Sequence, residues 1–101
     1  MALTTDYQED LLKRLGDPGY AAEYLTACAA EGQEEFLLGL RNVAEAQGGI
    51  TQLATNTELN REGLYRMLSE DGNPRLSSLF AVLDAFGLQF RCVSTEPTRS
   101  K

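Results

Sequence analysis

At 101 residues, 43% of them hydrophobic and 24% charged, the chain is long enough for one domain with a modest core. It carries a net charge of −6, no His and only two cysteines, Cys28 and Cys92, without metal-ligand spacing. Enzyme, metal and cofactor functions are therefore not expected, and the two thiols are expected to stay reduced. No apolar run approaches the roughly 18 residues of a membrane span, and the N-terminus lacks the basic and apolar regions of a signal peptide. A cytoplasmic protein with no membrane partner follows.

Residues 1–16 hold Leu3, Tyr7, Leu11, Leu12 and Leu15 at loose helical spacing and read as an N-terminal arm, partly helical, that packs on the domain or on a partner. Asp17-Pro18 is a helix start, Asp as N-cap and Pro at the first helical position. The helix predicted from there to Glu31 presents Ala21, Tyr24, Leu25 and Cys28 on one side, and Gly32 stops it. A second helix over 33–47 turns Phe36, Leu37, Leu40, Val43 and Ala44 inward. Its Glu34 and Glu35 lie in the first turn, where the helix dipole favours negative charge. Residues 1–49 contain nine acids and three bases, whereas residues 50–101 contain six of each. The acidity thus lies in the first half, either as a solubilising surface or as a face for a basic protein.

Two short helices are predicted next, over 51–57 and 60–71. Asn60 is a good N-cap for the second. At 100° per residue Arg61, Glu62, Tyr65, Arg66 and Ser69 share one face, and Leu64, Met67 and Leu68 fall opposite. A core-facing side thus backs groups suited to base edges and phosphates. Two such helices joined by a few residues form a helix-turn-helix, whose second member reads the major groove. Gly63 inside that helix costs about 1 kcal/mol relative to Ala, a cost that close packing or a close approach to DNA would explain. Asp71-Gly72-Asn73-Pro74 is turn chemistry. A fifth helix over 76–86 carries Leu76, Leu79, Phe80, Leu83 and Phe86 as its core stripe, with Gly87 as its left-handed cap. Leu88 to Val93 alternates with period two and reads as a short strand that would pair with its own copy in a dimer. Residues 94–101 read as a disordered tail, leaving 17–93 as the helix-turn-helix domain.

The run Asn60-Arg61-Glu62-Gly63-Leu64-Tyr65-Arg66-Met67-Leu68-Ser69-Glu70-Asp71-Gly72-Asn73-Pro74 resembles the Arg-Glu-x-Leu-Tyr…Leu-Ser…Gly-Asn-Pro signature of addiction-module antidote proteins, the HigA-like antitoxins of type II toxin–antitoxin pairs. Ala85-Phe86-Gly87-Leu88, Tyr24-Leu25 and Glu31-Gly32 add to the likeness, which covers residues about 17–93. The resemblance implies an all-α, five-helix domain of the lambda-repressor type, here with the short C-terminal strand. It also implies a homodimer that binds operator DNA, represses its own operon and neutralises a small basic toxin of the RelE/ParE type. Carried over, Asn60, Arg61, Glu62, Tyr65 and Arg66 would be the recognition-helix contacts, and Thr51, Gln52, Asn73 and Arg75 would lie near phosphates. Glu58 departs from the pattern, standing where many such turns have Gly. Two alternatives stay open: a stand-alone helix-turn-helix regulator, and a protein-interaction module that no longer binds DNA.

Overall fold

The structure is a computed structural model that describes residues 5–96, with the backbone alone for Thr5. Six helices follow in order: α1 (Thr5–Leu15), α2 (Pro18–Glu31), α3 (Gln33–Ala46), α4 (Gly49–Thr57), α5 (Arg61–Met67) and α6 (Leu76–Ala85). The all-helical expectation holds, but the count of five does not. Residues 5–15 of the expected arm form a regular helix, because Leu11 and Leu15, one turn apart, both reach the core. Asp10 and Arg14 add an exposed i,i+4 ion pair at 2.9 Å on its outer side, worth about 0.3–0.5 kcal/mol.

α2 begins as its sequence dictates. The Asp17 carboxylate accepts the Tyr20 amide N–H at 2.9 Å and Pro18 occupies the first turn. Ala21 and Leu25 are buried, and Tyr24 and Cys28 lie half-buried beside them. α3 is the hub. It packs against α1, α2 and α4, with Leu37, Leu40, Val43 and Ala44 at 1% exposure or less. The Leu and Val side chains among them, fully removed from water, contribute about 1.5–3 kcal/mol each. α4 then links α3 to α5 and α6 through Ile50 and Leu53. No helix among the described residues is long and apolar enough to cross a membrane.

The expected strand over 88–93 is absent; these residues follow α6 without regular structure. The end of α6 explains why. Gly87 takes a left-handed φ of 81°, and the Leu88 N–H donates to the Leu83 carbonyl at 2.8 Å, closing a Schellman-type cap. Leu88 is thereby drawn against the core. Phe90 then stacks obliquely on Phe80, ring centroids 5.1 Å apart, so this segment lies on α6. A lone short strand has no ladder to complete, and side-chain packing decides its path. The core stripe of α6 is corrected with it. Val82, Leu83 and Phe86 are buried, Leu79 is half-buried, and Leu76 and Phe80 are exposed at 64% and 54%. Residues 1–4 and 97–101, with most of the expected tail, lie outside the described residues.

Candidate nucleic-acid interface

α4 and α5 are joined by a three-residue turn, Glu58 to Asn60, that opens on Glu58. Its φ of 62° and ψ of 21° lie in the left-handed region, where a glycine is the usual occupant. The turn is held by three hydrogen bonds. The Glu58 N–H donates to the Ala54 carbonyl at 2.8 Å, closing the last turn of α4. The Thr57 hydroxyl donates to the Leu53 carbonyl at 2.7 Å and accepts the Leu59 N–H at 3.2 Å. Glu58 thus fills the turn position that the resemblance leaves to glycine.

α5 starts on Asn60, whose side-chain oxygen accepts the Gly63 N–H at 2.9 Å. That bond uses one of the two lone pairs of the oxygen and leaves the Asn60 side-chain NH2 free to donate. The helical faces divide as expected. Leu64, Met67 and Leu68 are 1%, 9% and 0% exposed, while Arg61, Glu62, Tyr65 and Arg66 all reach solvent. The helix itself is shorter than expected, ending at Met67 rather than residue 71. Ser69 ends it locally: its N–H and hydroxyl both donate to the Arg66 carbonyl, at 3.3 and 2.8 Å. Gly72 then passes against the backbone of Met67, so closely that a Cβ there would overlap the Met67 carbonyl oxygen.

This close passage folds the 71–75 loop beside α5 and creates a groove of about 490 Å³. Asn60, Arg66, Asn73 and Arg75 line it, together with Gly63 and one carboxylate, Asp71. The Gln33 side chain at the start of α3 donates to the Gly72 carbonyl at 3.3 Å and ties the loop down. Four of the nine sequence-predicted residues are therefore brought together. Arg61, Glu62 and Tyr65 lie on α5 outside the groove. Thr51 and Gln52 are exposed on α4, where the Thr51 carbonyl accepts the Thr55 hydroxyl at 3.2 Å and Gln52 donates to Asn56 at 3.1 Å.

One cation beside this surface was not among the predicted residues. Arg41, half-buried on α3, holds its guanidinium carbon 5.5 Å from the centre of the Tyr65 ring. That is cation–π range, worth about 0.5–1 kcal/mol at an exposed site. The only sequence signal was that Arg41 is the single base in an otherwise acidic helix. Among the described residues, no cluster of three or more His, Cys, Asp or Glu could hold a metal ion.

Comparison with known proteins adds an independent observation. A family model described as "Probable addiction module antidote protein" matches residues 5–94. The chain is similar to an uncharacterised protein of Haemophilus influenzae (strain ATCC 51907 / DSM 11121 / KW20 / Rd), 36% identical over 69 residues that cover 67% of this chain and 70% of the relative. No solved structure matches.

Proposed function

This chain belongs to the family of probable addiction module antidote proteins, and on that premise we propose that it is the antitoxin of a type II toxin–antitoxin pair. In this reading it acts in the cytoplasm, binds operator DNA as a homodimer through α4 and α5, represses its own operon and neutralises a small basic RelE/ParE-type toxin. The observation that carries the DNA-binding part is the exposed row of Arg61, Glu62, Tyr65 and Arg66 on a helix anchored by buried Leu64, Met67 and Leu68. Arg41 beside Tyr65 and Arg75 across the groove add positive charge next to that row. The residues assigned to DNA are Thr51, Gln52, Asn60, Arg61, Glu62, Tyr65, Arg66, Asn73 and Arg75, with Arg41 added.

Fluorescence anisotropy tests the reading, with a labelled duplex from the region upstream of the gene and a scrambled duplex, over a range of salt. Arg61→Ala is expected to cost about 1–3 kcal/mol on the upstream duplex and to relax the preference at one base position, as loss of a base contact does. Arg75→Ala is expected to weaken both duplexes alike and to flatten the salt dependence by about one unit of slope. Equal losses on both duplexes for Arg61→Ala would remove it from the base readers. Failure of the wild-type protein to bind either duplex would leave an interaction module.

A further inference from the structure

Gly63 lies inside α5, where glycine in place of alanine costs about 1 kcal/mol of helix stability. A helix of seven residues has little stability to lose. Both intramolecular reasons for a glycine are missing here. The positive-φ glycines of the described chain are Gly32, Gly48, Gly49 and Gly87; Gly63 has ordinary helical backbone that any L-residue adopts. Space is no obstacle either. A Cβ at Gly63 would meet only Asn60, its Cβ at 3.8 Å and its Oδ1 at 3.9 Å, which is ordinary van der Waals contact. Gly72, by contrast, cannot accept a Cβ without striking the Met67 backbone.

Nothing within the fold therefore asks for a bare backbone at Gly63, yet the residue lies in the groove that Arg66, Arg75, Asn60 and Asn73 line. Two guanidinium groups and two amides set against the single carboxylate of Asp71 favour an anionic occupant rich in acceptors. We infer that Gly63 is a contact point for the sugar–phosphate edge of bound duplex DNA, which seats in this groove between Arg66 and Arg75 and comes within van der Waals contact of the α5 backbone. A methyl group at Gly63 holds the duplex away from both arginines. The inference rests on the DNA-binding reading above and adds to it a residue without a side chain.

Gly63→Ala separates the two. Thermal unfolding should give a higher Tm than wild type, because the helix gains propensity and the methyl meets no clash. Affinity for the labelled upstream duplex should fall about tenfold or more, the scale of one methyl forced into a filled contact. Copurification with the toxin of the proposed pair should be unchanged. A variant that binds the duplex as tightly as wild type overturns the inference and leaves the DNA-binding reading standing. A variant with a lowered Tm overturns it too, since the glycine would then serve the fold. Loss of toxin binding with DNA binding intact assigns Gly63 to a protein contact and overturns it. If the wild-type protein itself binds no duplex, the reading beneath it fails as well.

Discussion

Single residues at the α4–α5 turn show how a polar side chain can occupy a position that suits glycine. Glu58 holds a left-handed φ of 62°, a conformation that costs an L-residue about 1–2 kcal/mol because Cβ crowds the following carbonyl. The turn persists because Leu53 and Leu64 on either side are buried and because Thr57 and Ala54 supply its hydrogen bonds. Glu58→Gly relieves the crowding but frees the unfolded chain, an opposing effect of about 0.5–1 kcal/mol. The net expectation is a gain of up to about 1 kcal/mol in urea-induced unfolding, with α4 and α5 unmoved. A loss of stability would show that the Glu58 side chain contributes something the backbone geometry does not reveal. The neighbouring Asn60 was legible from the sequence, since an Asn before Arg61-Glu62 is a cap whatever its wider surroundings. The close passage of Gly72 was not. It depends on where residues 69–72 return to the helix end, which the local turn chemistry of Asp71-Gly72-Asn73-Pro74 leaves open.

Among the helices, periodicity reported burial well where one face meets a single layer and poorly where a helix lies at the edge. Leu37, Leu40, Val43 and Ala44 on α3, and Leu64 and Met67 on α5 with its cap residue Leu68, are buried as their spacing required. On α6 the same rule placed Leu76 and Phe80 inward, but both are exposed. The helix is apolar nearly all round, so its pattern could not single out a face. The apolar side chains left outside, Leu76 and Phe80 with Phe90 and Val93, are where the proposed homodimer has apolar surface to bury. Phe80→Glu should therefore yield a monomer by analytical ultracentrifugation, with far-UV circular dichroism unchanged and palindrome binding weakened. A dimer that survives this change moves the interface elsewhere. The α2–α3 seam makes a separate prediction about pH. The Asn42 side chain donates to the Tyr24 hydroxyl at 2.9 Å, and burial, opposed by that bond, raises the phenol above its ordinary 10.0. Burial likewise raises the Cys28 thiol above 9.0. Below these values both groups are protonated in the folded and unfolded chain and contribute no pH dependence. Above them the unfolded chain releases its protons first, so stability should fall as pH rises past about 9 to 10. Urea unfolding at pH 8 and pH 10.5 checks this, and Tyr24→Phe should make the decline shallower.

Across the whole molecule, the net negative charge lies in the first half of the chain. All nine acids of residues 1–49 are exposed, spread over α1, the α1–α2 turn, α2 and α3, with Asp10 engaged by Arg14. α5 and the loop after it are balanced instead, with Arg61, Arg66 and Arg75 matched by Glu62, Glu70 and Asp71, all exposed. A basic toxin would thus be drawn to the first three helices, whereas α5 and its loop present no net negative charge to repel a DNA duplex. Hydrogen exchange with and without the toxin is expected to show added protection in residues 5–46 and none at residues 61–66. Exposed charge is screened over about 10 Å at 0.1 M salt, so toxin affinity should also fall as salt rises. Glu34→Lys together with Glu35→Lys, both in the first turn of α3, should weaken toxin binding without changing affinity for the upstream duplex. Those two positions also touch the helix dipole, and the double change should lower stability by about 1–2 kcal/mol on that account; circular dichroism at the assay temperature separates unfolding from lost charge. Protection confined to α5 would mean that toxin and DNA compete for one surface, and the net negative charge of the first half would then serve solubility rather than the partner.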